Sequence, residues 1–563
     1  MSRILVLGGY GGFGARLSRR LVAAGHHVLV AGRSRGKAAK FCAKLPGAEP
    51  VVADRCRDLQ LLLSELRPDI LIDAAGPFQD GSYGVPSACI AAGVHYLDLA
   101  DARQFVCGIA ALDRDARRAS VCVISGASSV PALSGAVARH LSEGMDRVSQ
   151  VEIAISASTR STASHSVTGA ILTYAGRRIS LWRAGRWSTG FGGSELRRMK
   201  FEVTGARPLR RRWLALCDVP DLELMPGALP GTPTVVFRAG SDRPPQILGL
   251  WLVSWMVRFG LLRSLAGFTN IFVWLQRAVL WVGSDRSAMA ITLCGWRAHQ
   301  GIERRWTLIA EDGSGPEVPT LAAILLVERL LSGRIETGAR DASEVLTLDD
   351  FGPLLADLPI SHGTSERMLE PPLYRRAMGE RFDHLPPLVR LIHEVGGDAG
   401  AAGRGTVAWG GSRVAALICR LMRFPPPGEH ELHVAFAQRN GGERWTRDFG
   451  GHQFSSVLQQ SDCGVSERFG PIRFHFELPS DAEGLRMVLR RWSLFGVPLP
   501  PAVAPRIEAR EREEADRFLF HVDVAMPLVG RVIRYSGWLE HVAQRKKAAG
   551  RTRPPLDVTE AAA

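Results

Sequence analysis

Lysine is the residue type that this sequence most clearly lacks. Only 6 of the 563 residues are lysine, and none lies between Lys44 and Lys200 or between Lys200 and Lys546. This absence argues against chemistry that needs a Schiff-base lysine. It also argues against the Tyr-x-x-x-Lys dyad of short-chain dehydrogenases, because the nearest equivalent, Tyr174 to Arg178, ends in a guanidinium that does not deprotonate.

Motifs for metal binding, disulfide pairing and serine hydrolysis are also missing. The 9 cysteines are scattered without a Cys-x-x-Cys pair, and the histidines form no His-x-x-x-His pair. We therefore predict reduced thiols and no metal site. The absence of a Gly-x-Ser-x-Gly sequence argues against an α/β-hydrolase.

The start of the chain contains the most informative pattern that is present. An apolar strand at Ile4–Leu7 is followed by Gly9-x-Gly11-x-x-Gly14, a helix to about Ala24, and a second strand at Val28–Ala31. In such a unit the glycines form a tight turn, let backbone N–H groups approach a pyrophosphate, and bring the helix close to the strand. The predicted phosphate-binding residues are Gly9, Gly11, Gly12, Phe13 and Gly14.

The end of the second strand indicates which nucleotide is bound. An NAD site usually places Asp or Glu there to hold the ribose hydroxyls, but residues 31–37 contain no acid. The guanidinium of Arg33 and the hydroxyl of Ser34 suit a 2′-phosphate instead. We therefore predict NADP(H) as the cofactor; the alternative is that these residues form a solvated basic loop.

Alternating strands and helices continue and predict an α/β fold, a doubly wound parallel Rossmann sheet. Asp54, after the third strand, is expected to meet the adenine, and Ala75, Gly76 and Pro77, after the fourth, to pass beside the ribose and nicotinamide. Two acids follow the fifth strand, at the edge where such sheets bind ligands. These candidate catalytic residues are Asp98 and Asp101. The alternative role for either carboxylate is to cap the helix that follows.

Further motifs follow in order: Ala75-Gly76-Pro77-Phe78, Cys89 to Asp98, and Ser129 to Ser134. Together with the glycine loop and Ala31-Gly32-Arg33, they resemble the saccharopine dehydrogenase-like reductases. The resemblance implies a Rossmann NADP-binding domain at 1–140 and a mixed α/β domain at 141–333 that covers the cofactor and pairs two subunits into a homodimer. It also implies a helix, Thr320 to Leu331, that returns to the first domain, and hydride transfer to or from a carbonyl or imine of a small molecule.

The second half is expected to form a separate unit. Residues 334–371 are acidic and turn-rich, which predicts a linker, and residues 372–540 then show helices followed by alternating strands typical of an α+β domain with an antiparallel sheet. Residues 541–563 are predicted to be a disordered basic tail.

Motifs such as Gly442-Glu443-Arg444-Trp445 and Glu467-Arg468-Phe469-Gly470-Pro471 resemble a bacterial domain of unknown function that is fused to such reductases. Two pairs of charged residues in these motifs are either site residues on a cupped sheet or ion pairs on an exposed strand. The pairs are Glu443 with Arg447 and Glu467 with Arg468.

Residues 247–282 are strongly apolar and contain Trp251, Trp255, Trp274 and Trp281, with arginines but no acid. The apolar runs are shorter than the roughly 20 residues needed to span a bilayer. The segment is therefore either a buried dimer or domain interface, or an in-plane membrane contact. The preceding basic run, Arg177–Arg212, contains no recognisable nucleic-acid module, so nucleic acid is not an expected partner.

The chain begins with its first strand rather than with a charged and then apolar leader, so we expect it to be cytoplasmic, either free or peripheral at the inner membrane face. The function that competes with an oxidoreductase is a non-catalytic one: nucleotide sensing, lipid handling or work at a membrane surface.

Overall fold

The structure, a computed structural model, describes residues 2–542 except residues 56, 58, 80, 163–164, 279–282 and 440. The described chain forms a parallel sheet, a mixed sheet, a large antiparallel sheet and a small hairpin. The predicted fold class is confirmed: a Rossmann-like α/β part is followed by a mixed part and by an antiparallel C-terminal part.

The first part alternates strands and helices. Its strands are β1 (Arg3–Leu7), β2 (His27–Gly32), β3 (Ala48–Val52), β4 (Ile70–Asp73), β5 (His95–Asp98) and β6 (Cys122–Ser125). Its helices are α1 (Gly12–Ala23), α2 (Arg35–Cys42), α3 (Leu59–Leu66), α4 (Gly84–Ala92), α5 (Arg103–Gly108), α6 (Asp113–Arg118) and α7 (Ser134–Ser142).

The middle part is more varied. Its strands are β7 (Arg147–Ala157), β8 (Arg178–Arg183), β9 (Arg186–Phe191), β10 (Arg197–Phe201), β11 (Leu209–Leu216), β12 (Thr234–Ser241), β13 (Ser287–Arg297), β14 (Gln300–Ala310), β15 (Gly338–Asp341) and β16 (Ile360–Met368). Its helices are α8 (Thr159–Thr162), α9 (His165–Tyr174), α10 (Asp221–Ala228), α11 (Pro244–Arg258), α12 (Thr269–Ala278), α13 (Val318–Leu331) and α14 (Leu348–Ala356).

The last part is dominated by strands. These are β17 (Asp398–Trp409), β18 (Gly428–Arg439), β19 (Gly442–Phe449), β20 (His452–Ser461), β21 (Gly464–Phe469), β22 (Ile472–Glu477), β23 (Ser480–Asp481), β24 (Gly484–Leu494), β25 (Val497–Pro498), β26 (Arg506–Glu514), β27 (Arg517–Met526) and β28 (Gly530–His541). Its helices are α15 (Leu373–Met378), α16 (Pro387–His393) and α17 (Arg413–Leu421).

The first sheet has the strand order β15-β6-β5-β4-β1-β2-β3, and its paired strands are all parallel. Its central strands are short apolar runs, such as Ile4–Leu7 and Ile70–Asp73, that are buried on both faces. This is expected where helices cover both faces of a parallel sheet. The predicted returning helix is present as α13, which packs against α1, and Glu317 pairs with Arg20 at 2.8 Å.

The prediction of a linker at 334–371 is wrong. This segment contributes β15 to the parallel sheet beside β6, then forms α14, and then pairs β16 with β14 of the mixed sheet. The acidic residues that made it resemble a linker stabilise structure instead. Asp350 accepts hydrogen bonds from Thr347 to form a capping box and pairs with Arg329 at 2.7 Å.

The mixed sheet has the order β10-β11-β12-β7-β13-β14-β16, and β8 and β9 form the separate hairpin. The middle and last parts of the chain are in contact. Arg186 of β9 pairs with Asp448 at 2.7 Å, and Nε2 of His433 lies 2.7 Å from the carbonyl oxygen of Ala184. His541, predicted to begin the tail, is buried as the last residue of β28, whereas residues 543–563 of the predicted tail lie outside the described residues.

The antiparallel sheet closes on itself because β22 also pairs with β24. Its inward face forms a core of its own. Glu443 and Glu467 lie on strands with their side chains buried, and the Arg447 side chain is only 13% exposed, whereas Arg468 is exposed. The expectation of ion pairs on an exposed strand is therefore wrong for Arg447 and Glu467, which pair with each other at 3.2 Å inside the sheet.

The apolar segment 247–282 is described up to residue 278 and consists mainly of α11 and α12; Trp281 lies outside the described residues. Leu252, Phe259 and Trp274 are 64%, 69% and 66% exposed, whereas Trp251 and Trp255 are partly buried. In the described part of the chain, every helix is too short or too polar to cross a bilayer.

Candidate functional site

The glycine loop between β1 and α1 is closed by backbone contacts that exclude side chains. Gly8 has a φ of +71° and donates to the carbonyl oxygen of Ala31 at 2.9 Å. A Cβ atom on Gly14 would lie 2.2 Å from the carbonyl oxygen of Gly8. The helix can approach the turn this closely only if that position is glycine.

This loop leaves the N-terminus of α1 accessible. Gly11 and Gly12 are exposed, and a Cβ atom on Gly12 would meet nothing within 4 Å. The first turn of α1 contains no acidic residue, and its N-cap makes no side-chain hydrogen bond. The N–H groups of Gly12, Phe13 and Gly14 therefore form the kind of helix N-terminus that binds phosphate.

Arg33 and Ser34 lie directly after β2. The Arg33 side chain is exposed. The Ser34 hydroxyl oxygen caps α2 by accepting from the Lys37 N–H at 3.4 Å, and the Ser34 N–H donates to the Tyr10 hydroxyl at 3.1 Å. The Tyr10 ring lies against Gly32, where a Cβ atom would be 2.5 Å from it. Tyr10, which the sequence analysis did not single out, thus connects the glycine loop to the end of β2.

Arg55, next to the predicted adenine contact Asp54, is a second residue that sequence reasoning missed. Its guanidinium donates to the carbonyl oxygen of Ala75 at 2.9 Å, lies 3.2 Å from the buried Asp73 carboxylate, and sits 5.0 Å above the Phe78 ring. Burial raises the pKa of Asp73, and the charge of Arg55 opposes that shift. Arg55, which lies in the loop after β3, therefore fixes the position of the loop after β4.

The residues Ala75, Gly76 and Pro77 form that loop, at the same sheet edge as the glycine loop. The Asp73 carboxylate accepts from the Ala75 N–H at 2.9 Å, and the buried Phe78 packs on Phe105 with ring centroids 5.5 Å apart. The loop that we expect beside the nicotinamide is thus held at both ends.

Asp98 is fully buried at the end of β5. Its Oδ1 accepts from the N–H groups of Ala100 at 3.0 Å and Gly126 at 2.7 Å, which connects the loops after β5 and β6. Burial raises its pKa to about 6. Helix α5 has Ala102 at its N-cap and no side-chain cap, so the alternative that Asp98 or Asp101 caps this helix is wrong.

Asp101 is exposed at the same edge. Its Oδ1 accepts a hydrogen bond from the Gln79 amide at 3.3 Å, and the Gln79 side-chain oxygen in turn accepts from the Phe78 N–H at 3.1 Å. The loops after β4 and β5 are therefore joined by Gln79. Of the two predicted acids, Asp98 is buried and holds two loops together through its hydrogen bonds, whereas Asp101 has a carboxylate that solvent can reach.

The charge of Asp101 reaches two residues of the middle part. These are Tyr174, at the end of α9, and Cys217, just after β11, and the charge of Asp218 acts on both as well. Burial raises the pKa of the Tyr174 hydroxyl and raises that of the Cys217 thiol to about 11, so both groups stay protonated at neutral pH. Asp101, at the carboxyl edge of the first sheet, is thus electrostatically coupled to two proton donors of the middle part.

A buried arginine holds these two parts together. Arg103, at the start of α5, is 3% exposed and donates to Glu223 at 2.9 Å, Asp218 at 3.2 Å and the Ser180 carbonyl oxygen at 2.7 Å. Its guanidinium also lies 5.5 Å from the centre of the Trp187 ring. The hydroxyl of Ser134 makes a second, short contact across the same boundary by donating to the buried Asp221.

Within the described residues, Asp462, Cys463 and His475 form one group whose ligand atoms are close enough for a metal ion. The Asp462 carboxylate is already paired with Arg491 at 2.5 Å, and the neighbouring Arg491 and Arg473, together with burial, lower the pKa of His475. A positive guanidinium in the group opposes cation binding. The described cysteines are free thiols.

The buried Asp98 generates a prediction about pH. In the folded protein its pKa is about 6, against about 3.9 in an unfolded chain, so the folded state binds more protons between about pH 4 and pH 6. The free energy of unfolding should therefore fall as pH rises through this window, by about 3 kcal/mol at most from this group. Asn at this position keeps an oxygen for the Ala100 and Gly126 N–H groups but does not titrate.

We expect Asp98→Asn to lose this part of the pH dependence, measured as urea unfolding midpoints at about pH 4 and about pH 7. Asp115→Asn, at an exposed position of α6, is the control and should follow the wild type. An Asp98→Asn protein with the same pH slope as the wild type would contradict the raised pKa.

Comparison with known families is consistent with this geometry. Residues 4–124 match the saccharopine dehydrogenase NADP binding domain, and residues 385–539 match DUF4166, a domain of unknown function. No curated protein matches the chain.

Several solved structures are similar. The apo, histidine-tagged saccharopine dehydrogenase (L-Glu forming) from Saccharomyces cerevisiae is 13% identical over 65% of this chain and 100% of its own, with a TM-score of 0.45. WbmG from Bordetella bronchiseptica in complex with NAD is 23% identical over 17% of this chain and 36% of its own, with a TM-score of 0.16. The yeast methylglyoxal/isovaleraldehyde reductase Gre2 complexed with NADPH is 17% identical over 17% and 37%, also with a TM-score of 0.16.

Overlaps of this size carry no argument about cofactor or substrate, so the family matches carry the assignment. Residues 4–124 thus match a saccharopine dehydrogenase NADP binding domain and residues 385–539 match a DUF4166 domain, and the first match supports an oxidoreductase at the level of family.

Proposed function

We propose that the protein is an NADP(H)-dependent oxidoreductase that transfers hydride to or from a carbonyl or imine carbon of a small molecule. The observation that carries the proposal is the convergence at one sheet edge of an accessible helix N-terminus, an exposed Arg33 and the solvent-accessible Asp101. In open α/β sheets this edge is where nucleotides and substrates bind.

The described residues fit NADP(H). The pyrophosphate would accept hydrogen bonds from the N–H groups at the start of α1, and the Arg33 guanidinium would pair with the 2′-phosphate. Because residues 31–37 contain no acid, no carboxylate there repels that phosphate. The nucleotide supplies the hydride when bound; the protein positions it through the loop of Ala75, Gly76 and Pro77, which Arg55 and Phe78 hold in place.

Proton transfer would take place between this loop and the middle part of the chain. Asp101, oriented by Gln79, is the carboxylate that can orient the substrate or relay a proton. The Tyr174 hydroxyl, which stays protonated at neutral pH and is influenced by the charge of Asp101, is the group of the middle part that would donate to a carbonyl oxygen as the hydride arrives. Asp98, in this proposal, supports the site by holding the loops after β5 and β6 together.

The cofactor proposal predicts a preference for NADPH over NADH that depends on Arg33. Loss of a charge-assisted contact to the 2′-phosphate should cost Arg33→Ala at least tenfold in NADPH affinity, or about 1.4 kcal/mol, with little change for NADH. Isothermal titration calorimetry on both nucleotides measures this. Arg35→Ala, two residues away and also exposed, is the matched control. Equal binding of the two nucleotides by the wild type would contradict the assignment.

The catalytic proposal predicts a specific loss of turnover in Asp101→Asn. The wild type should oxidise NADPH in the presence of at least one compound in a panel of aldehydes, ketones and 2-oxo acids with amines. Removal of a proton relay should then reduce turnover by about a hundredfold, with NADPH affinity unchanged. Asp115→Asn is the control. An Asp101→Asn enzyme with wild-type turnover would exclude the carboxylate from the reaction.

A second candidate function is supported by the exposed apolar side chains of the segment 247–278. Leu252, Phe259 and Trp274 are exposed to solvent, as are Arg258 and Arg263 of the same segment, which contains no acid. Apolar side chains next to arginines are the pattern of a helix that lies in the membrane interface. We propose that this surface brings the protein to an anionic membrane.

The membrane proposal predicts that the protein floats with vesicles that contain anionic phospholipid. Leu252→Ser/Phe259→Ser should reduce the bound fraction at least fivefold, because two apolar side chains no longer enter the lipid. Leu61→Ser/Phe495→Ser changes the same residue types at other exposed positions and should have no effect. The wild type could instead fail to bind vesicles and form a dimer. If Leu252→Ser/Phe259→Ser dissociates that dimer and Leu61→Ser/Phe495→Ser does not, the surface is a subunit interface.

A further inference from the structure

The C-terminal sheet encloses space that the proposed reaction does not use. Its closed ring runs from β22 through β21, β20, β19, β18, β17, β28, β27 and β26 to β24, which pairs back to β22. The ring therefore has ten strands, since β23 and β25 pair only at its margin. A ring of about eight strands is just filled by its own side chains or holds one small ligand, and the diameter grows with strand number.

The interior of this barrel contains an apolar cavity of about 200 Å³. Its lining includes Phe449, Phe474, Phe476, Phe520, Val522 and Met487. Protein interiors are packed as closely as organic crystals, so a space of this size inside a barrel is more than ordinary packing leaves. A ten-stranded ring lined with aromatic and aliphatic side chains is thus built with room for an apolar molecule.

The cavity also has a polar region. Arg447 and Glu467 line it, 3.2 Å apart, and Arg447 donates to the Ser456 hydroxyl at 2.9 Å. Tyr535 lines it as well, with its ring packed on Phe449 and Phe454. A purely apolar ligand would require none of these groups, so their position indicates that one end of the ligand forms hydrogen bonds.

The charges of this region determine what that end can be. The Arg447 guanidinium is already neutralised by Glu467, and the other acid that lines the cavity, Glu511, lies 2.6 Å from Nε2 of His393. The second arginine of the lining, Arg510, is exposed and pairs with Glu508 at 2.8 Å. An anionic head group would therefore meet two carboxylates and no unpaired guanidinium. A hydroxyl or carbonyl group creates no such repulsion and can use the hydroxyl of Tyr535.

We propose that the C-terminal barrel binds one uncharged, mainly apolar molecule that carries a single hydroxyl or carbonyl group. A cavity of about 150 Å³ holds benzene, so this one accommodates about eight non-hydrogen atoms by proportion. The site lies in the DUF4166 region rather than in the nucleotide-binding domain. Binding at this site would therefore be a function additional to the proposed oxidoreductase activity.

The test uses the full-length protein and a homologous series of probes in isothermal titration calorimetry. From 1-pentanol to 1-heptanol each added methylene should tighten binding by about fourfold, and the gain should stop near 1-octanol, whose roughly nine non-hydrogen atoms fill the cavity. Octanoate, with the chain length of 1-octanol but a negative charge, should bind at least tenfold more weakly at neutral pH. Absence of 1-octanol binding, or tighter binding of octanoate, would overturn the proposal.

Two variants on β26 locate the site. Ala509 points into the cavity, whereas its neighbour Glu508 is exposed on the outer face of the same strand. Ala509→Trp should abolish 1-octanol binding by filling the space, and Glu508→Trp should leave it unchanged. Thermal unfolding followed by circular dichroism shows that both variants are folded. A folded Ala509→Trp protein that binds 1-octanol like the wild type would place the binding elsewhere and overturn the proposal.

Tyr535→Phe tests the polar end without changing the shape of the cavity. It should weaken 1-octanol binding by about five- to tenfold, the worth of one hydrogen bond, and leave the binding of toluene unchanged. If wild type and Tyr535→Phe bind 1-octanol with equal affinity, the proposed hydrogen bond between the ligand and Tyr535 is wrong.

Discussion

The candidate active site depends on one buried cation. The guanidinium of Arg103 crosses from the first α/β unit to the middle part of the chain and is held there by Glu223, Asp218 and a backbone carbonyl. Its burial makes the contact sensitive to geometry, because removing either side would leave an uncompensated charge in a poorly solvated place. Together with the Ser134–Asp221 contact, the two ion pairs of Arg103 hold the start of α5, which follows Asp101, against the segment that carries Cys217 and Asp218.

The sequence was sufficient to predict those parts of the site that depend on local rules. Glycines that permit a tight turn, an acid-free strand end with Arg33, and small residues after β4 all act within a few residues of their own position. Local rules could not predict the roles of three further residues, because each contacts an element that is distant in the sequence and comes near only in the folded protein. These residues are Tyr10, Arg55 and Arg103. Asp98 shows a third case: its position was predicted, but only the structure shows that two backbone N–H groups occupy its carboxylate.

The segment 334–371 and the barrel show the same limit at the level of the fold. A segment rich in acids and turns is predicted to be a linker, because the sequence does not show that β6 lacks a neighbouring strand. Strand β15 fills that position with only four residues. Alternating strands predict an antiparallel sheet with one buried face, and this was confirmed, but closure depends on the pairing of β22 with β24, which no local pattern encodes. Closure then reverses the environment of Arg447 and Glu467, from an exposed strand to an enclosed interior.

The arginines of this chain separate into two groups by what neutralises them, and this supports the cofactor assignment. In the basic run, Arg183 pairs with Glu195, and Arg197 pairs with Glu152, as does Arg238 of the adjacent strand. These ion pairs join neighbouring strands of the middle part and stabilise its fold. Arg33 is exposed, and among the described residues no carboxylate forms an ion pair with it. Binding a phosphate there would break no existing ion pair, and this is the electrostatic basis on which the proposed site would distinguish NADPH from NADH.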